Sequence, residues 1–132
     1  MRLPSAPIAR SDLEDMIASG QYLHLGQLYA DGQGVPQDYA EALKWYYIAS
    51  KEGNIWAQLA VGRFYENAYG VQQDYVEAYF WYSLAANVCA DKYPFMAAMD
   101  RIGSKLTLQE KAEVEKRVIS WKQTLSSPNA ED

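Results

Sequence analysis

Tyr39, Ala42, Tyr46 and Ala49 fall three and four residues apart, which sets their side chains on one face of a helix. Trp45 sits beside that stripe. The arrangement returns as Tyr75, Ala78, Tyr82 and Ala85, with Trp81 beside it. Large rings set next to alanines suit helices that interlock, ridge into groove. The stripes belong to longer copies: GVPQDYAEALKWYYIA from Gly34 and GVQQDYVEAYFWYSLA from Gly70. Aligned at an offset of thirty-six residues, Leu25–Ser50 and Val61–Ala86 agree at twelve of twenty-six positions without a gap. Average residue usage would give roughly one or two. A period of this size predicts stacked helix pairs, each burying its apolar face only against its neighbour.

Polar punctuation marks where the helices begin and end. Asp38-Tyr-Ala-Glu41, Asp74-Tyr-Val-Glu77, Ser11-Asp-Leu-Glu14 and Thr107-Leu-Gln-Glu110 have the form of capping boxes. In such a box the first side chain accepts from an orphan N–H, and the acid three residues on reaches back. They predict helix starts near residues 11, 38, 74 and 107, with weaker starts near Asn54 and near Lys92–Pro94, where Pro94 suits a first turn. Gly32, Gly34 and Gly53 are the expected stops, because glycine takes the left-handed conformation that closes a helix. Gly26 and Gly62 lie inside the shorter helices at the same phase. A glycine there costs about 1 kcal/mol against alanine, so the pairing predicts close approach by an aromatic ring.

At 132 residues, 49% of them apolar, the chain makes one domain or one short repeat array. The net charge of −5 argues against nucleic acid as a partner, which would call for surplus Lys and Arg. It also supplies no basic anchor for an anionic membrane. The most apolar run, Tyr79 to Ala90, is too short to span a bilayer. Cys89 is the single cysteine, so no internal disulfide and no cysteine-based metal site are expected. A reducing, cytoplasmic compartment is expected, with a secretory leader removed before this numbering begins as the alternative. The first ten residues hold no signal-type apolar core.

The spaced residues Leu25-Gly26-x-x-Tyr29-x-x-Gly32-x-Gly34-Val35-x-x-Asp38-Tyr39-x-x-Ala42-x-x-Trp45-Tyr46-x-x-Ala49 resemble the Sel1-like repeat, a relative of the tetratricopeptide repeat. The second copy departs at Val61, at Ala68 in place of the first loop glycine, and at Cys89 in place of Gly53. The resemblance implies an all-α, short right-handed α-solenoid of antiparallel helix pairs with terminal capping helices. An extended N-terminus would cover residues 1–10. One domain over 11–125 would hold repeats at about 19–53 and 55–89 and a closing helix pair at about 92–125. A flexible tail would follow at 126–132. In the closing pair, Val114, Val118 and Trp121 would cover the end of the stack, while Glu113, Glu115, Lys116 and Lys122 face water.

No residue set announces chemistry. His24 is the single histidine, has Ala60 as its counterpart in the second copy, and reads as a helix-surface or groove residue. Cys89 reads as packing near a helix end. Asp12, Glu14 and Asp15 suit a first helical turn, where acids oppose the dipole. Gly32 and Gly34 precede no Lys-Ser/Thr pair, so no phosphate loop is present. No catalytic residue, cofactor or metal is therefore expected.

What the resemblance implies is a binding surface made by shape. In tetratricopeptide-like stacks the first helix of each pair lines the concave face. On this chain those positions are Leu23, Gln27 and Asp31, then Trp56, Leu59, Arg63 and Asn67. Leu59 repeats Leu23, whereas Gln27 becomes Arg63 and Asp31 becomes Asn67. Scaffold positions repeat and recognition positions are free to differ. Sel1-like proteins are mostly adaptors, and some small bacterial members are immunity proteins. The expected function is thus non-enzymatic binding of another protein or peptide segment. One alternative is the β-lactam-binding or hydrolysing activity associated with cysteine-rich members, which carry paired cysteines that this chain lacks. A purely structural oligomerisation module is the other.

Overall fold

A computed structural model describes residues 6–89 and 93–126, apart from the side chains at 93–94 and 125–126. The described residues form seven helices and no strand: α1 (Arg10–Ala18), α2 (Tyr22–Asp31), α3 (Tyr39–Lys51), α4 (Ile55–Asn67), α5 (Tyr75–Val88), α6 (Tyr93–Gly103) and α7 (Leu108–Ser126). Expectations for residues 1–5, for Lys92 and for the tail from 127 lie outside the described residues. Each helix packs on its chain neighbour from α1 through α6, and α7 also docks on α5. This is an all-α helical-repeat solenoid, with α2–α3 and α4–α5 as the two repeated pairs.

The caps explain the register. Asp38 and Asp74 accept from the N–H groups of Glu41 and Glu77 at 3.1 and 3.0 Å. The return half of each box is not made. The cap N–H of Asp38 already donates to the Tyr29 carbonyl, and that of Asp74 to the Tyr65 carbonyl. The freed carboxylates of Glu41 and Glu77 instead accept from the indole N–H of Trp45 and Trp81, one turn on. A complete box forms at Thr107–Glu110, with bonds of 2.9 and 3.1 Å. Asn54 caps α4 through the Ala57 N–H. The box expected at Ser11 is absent: α1 starts at Arg10 after an uncapped Ala9. The segment before it is held to the first repeat by the Ile8 N–H on the Gly34 carbonyl, so the helix begins where that tie ends.

Burial follows the stripe. Ala42, Trp45, Tyr46, Ala49, Ala78, Trp81, Tyr82 and Ala85 are all buried. A Cβ built on Gly26 would lie 2.6 Å from the Tyr46 ring, and one on Gly62 would lie 3.0 Å from the Tyr82 ring. The two glycines therefore seat the two repeat tyrosines, as their common phase predicts. Gly62→Leu should lower stability by about 1–3 kcal/mol through overpacking. Urea unfolding checks this, and an unchanged midpoint would mean the ring has room to move.

The closing helices finish the core. Val114 and Val118 are buried and Trp121 is half-buried, all in one cluster with Ala42, Tyr46 and Trp81. Glu113, Glu115, Lys116 and Lys122 are exposed. Two carboxylates of the second repeat tie these helices down. Glu66 of α4 meets Arg101 of α6, and Glu77 of α5 meets Arg117 of α7. Cys89 leaves α5 in extended conformation, unlike Gly53 at φ +91, and packs half-buried beside Ala86 and Phe95.

Candidate partner-binding face

The face made by α2 and α4, the first helices of the two pairs, carries the expected binding positions in three groups. At the head of α2, Leu23 and Gln27 line an open hollow of about 540 Å³ together with His24, Tyr22, Glu52 and Asn54. Tyr22 is held there by stacking on Trp45, with ring centroids 5.9 Å apart.

On α4, Trp56 projects from the first turn and is 63% exposed. Leu59, one turn on, is half-buried and fills the seam between α4, α5 and α6 beside Met99. It supports the face more than it lines it.

Asp31, the last residue of α2, and Arg63, two turns beyond Trp56 on α4, are both exposed, and the charges of both bear on the hydroxyl of Tyr46. Burial pushes that phenol up to about 12, the Asp31 charge adds to the shift and Arg63 opposes it. Tyr46 is therefore a neutral O–H donor at any physiological pH. Asn67 is engaged locally, its amide donating to the Arg63 carbonyl at 3.0 Å.

The second repeat holds a constellation that residue spacing does not reveal. The Tyr82 hydroxyl donates to Glu66 Oε1 at 2.9 Å. Arg101 closes on the same carboxylate through Nε at 2.8 Å and Nη2 at 2.9 Å. The Arg101 hydrogen bond, reinforced by Tyr82, holds the Glu66 carboxyl below its ordinary range against the opposing effect of burial. A carboxyl lowered on folding contributes stability above the unfolded carboxylate range. That contribution disappears as pH falls through the depressed folded value. Glu66→Gln should remove about 1–2 kcal/mol at neutral pH and almost nothing near pH 2. Urea unfolding at both pH values checks this; equal losses at the two would exclude a charge-dependent role.

Among the described residues no three His, Cys, Asp or Glu side chains gather as a metal site, and no helix is long and apolar enough to cross a membrane.

The fold defines the class: a helix-pair repeat scaffold. The Sel1 repeat family model matches residues 22–54 and 57–87, one match on each pair. The chain is a Sel1-repeat protein, and Sel1 repeats are generally protein–protein interaction scaffolds. Among solved structures it is similar to a protective antigen present in uropathogenic Escherichia coli strains that displays an SLR fold. The two share 26% identity and a TM-score of 0.70, over 83% of this chain and 26% of that one. It is also similar to a Sel1 repeat protein from Oxalobacter formigenes, with 34% identity and a TM-score of 0.52, over 55% of this chain and 30% of that one. This chain therefore spans under a third of either protein's length. No curated protein matches it.

Proposed function

We propose that this protein binds a segment of another protein along the face of α2 and α4 and does no chemistry on it. The observation that carries the reading is Trp56, an indole 63% exposed on a helix whose opposite side is locked into the core. An exposed Trp on a rigid element near an exposed Arg has the composition of a binding hot spot. A preformed face also loses little conformational freedom when a partner arrives. No nucleophile and base stand together on this face, which favours recognition over catalysis. The net charge of −5 favours a protein over a nucleic acid as the partner, and the single Cys89 suits a reducing, cytoplasmic setting. A bacterial immunity or regulatory role would be one form of such binding.

Trp56→Ala should leave the unfolding midpoint nearly unchanged, since the ring is mostly in water, and weaken partner capture at least tenfold. The test is an affinity pull-down from the native source with wild type and with Trp56→Ala/Arg63→Gln. Recovery of the same partners by both forms would remove the α2–α4 assignment. Unfolding of Trp56→Ala would return that ring to the core.

A further inference from the structure

The two repeats can be compared position by position around Tyr82 and Tyr46, and they differ by one group. In the second, Tyr82 rests on Gly62, and its hydroxyl meets the Glu66 carboxylate that Arg101 grips. Ile102, next to Arg101, packs on Tyr82. In the first, Tyr46 rests on Gly26, and Phe64 meets its ring edge-on with centroids 5.5 Å apart. Arg63 stands next to Phe64 as Arg101 stands next to Ile102. The match is one of packing: Ile102 lies against Tyr82 as Phe64 lies against Tyr46, an offset of thirty-eight that carries Arg63 onto Arg101. The first repeat thus has the tyrosine and the arginine. The position of Glu66 is held by Ala30, thirty-six residues earlier. The backbone there is the same, for Gln37 donates to the Ala30 carbonyl at 3.0 Å as Gln73 donates to that of Glu66 at 2.8 Å.

The missing carboxylate leaves two donors unspent. Tyr46 is 7% exposed. Among the described residues its hydroxyl makes no hydrogen bond, and Arg63 enters no ion pair. Two carboxylates face Arg63 or the hydroxyl without bonding to them: Asp31, and Glu66, which Arg101 already holds. Their charge disfavours a dianion such as phosphate. The planar fork of Arg with one hydroxyl matches a carboxylate, as the second repeat demonstrates within the same chain.

We propose that Tyr46 and Arg63 form a carboxylate subsite, which takes an Asp or Glu side chain of the bound segment into the place that Glu66 fills in the second repeat. The inference rests on the partner-binding reading of this face and names the chemistry of what it binds.

The test uses N-acetyl-glutamate N-methylamide as the probe and its glutamine analogue as the neutral control, with NMR on the intact chain. The glutamate probe should shift the Arg63 Nε–H and the Tyr46 ring signals saturably. The glutamine probe should bind roughly tenfold more weakly or less, the size of one charge-assisted hydrogen bond. Arg63→Gln should abolish the response. Ala30→Glu should block it and raise the midpoint of thermal unfolding above that of Ala30→Gln, a gain that Arg63→Gln cancels. Equal shifts with both probes, a response that survives Arg63→Gln, or no gain for Ala30→Glu over Ala30→Gln would each overturn the proposal. These measurements require no partner. If the double variant still captures the same proteins while the glutamate probe binds at Arg63, the partner-face reading falls and the subsite stands.

Discussion

Trp81→Ala should lower the free energy of unfolding by about 3–5 kcal/mol, the range for removing a fully buried aromatic. The ring is 2% exposed and is boxed in by three others. Phe80, Trp121 and Tyr47 meet it edge-on at centroid distances of 5.1, 5.5 and 5.8 Å. Those rings come from α3, α5 and α7, so one truncation opens a void where three helices converge. The indole N–H also donates to Glu77 at 3.1 Å, and Glu77 receives both Nη atoms of Arg117 on α7. Among the described helices α7 is anchored chiefly on α5, so it should loosen first. Urea unfolding followed by far-ultraviolet circular dichroism gives the size. An unchanged curve would place Trp81 outside the core.

Gly70→Ala should be comparably damaging, at about 2–5 kcal/mol. Gly70 has φ +70, a conformation that costs an L-residue about 1–2 kcal/mol. Its Cβ would also stand 2.6 Å from the Ala40 nitrogen and 2.7 Å from the Tyr39 carbonyl carbon. Those are backbone atoms at the start of α3, so they cannot swing aside, and the collision adds about 1–3 kcal/mol of overpacking. Gly53 provides the control. It has φ +91 and nothing within 4 Å of a built Cβ, so Gly53→Ala should lose only the conformational part. Equal losses at the two sites would mean that the loop after α4 does not rest on α3.

The helices and their mutual seating were legible in the sequence because both follow from spacing. Tyr39, Ala42, Tyr46 and Ala49 share a helix face at any register, and Gly26 and Gly62 sit where a ring must approach. The capping boxes were half legible. The Asp side chains cap as their type requires, but where Glu41 and Glu77 reach depends on whether a distant carbonyl has taken the cap N–H first. Ser11 marked the start of α1 to within one residue but not its cap, for the helix begins at Arg10 after an uncapped Ala9.

On the proposed binding face, Arg63 stood out as a position where the repeat changes while its scaffold does not. The hydroxyl of Tyr46 did not, because its ring already accounts for the conservation of type between Tyr46 and Tyr82. Arg101 was hidden by the offset of thirty-eight, which breaks the thirty-six-residue period just where the third unit begins. Leu59 repeats Leu23 in sequence, yet only Leu59 has α6 to lean on.

The ion pairs that join separate helices among the described residues, Glu66–Arg101 and Glu77–Arg117, both fasten the third unit to the second repeat. The junction of the first repeat with the second relies on rings instead, with Tyr39 and Tyr46 against Phe64 and Tyr69. Among the described residues the front seam is therefore held without an ion pair, whereas the rear one adds to its rings two charge pairs that acid and salt weaken. Near pH 2, where Glu66 takes up its proton, the last two helices should loosen before the front of the stack does.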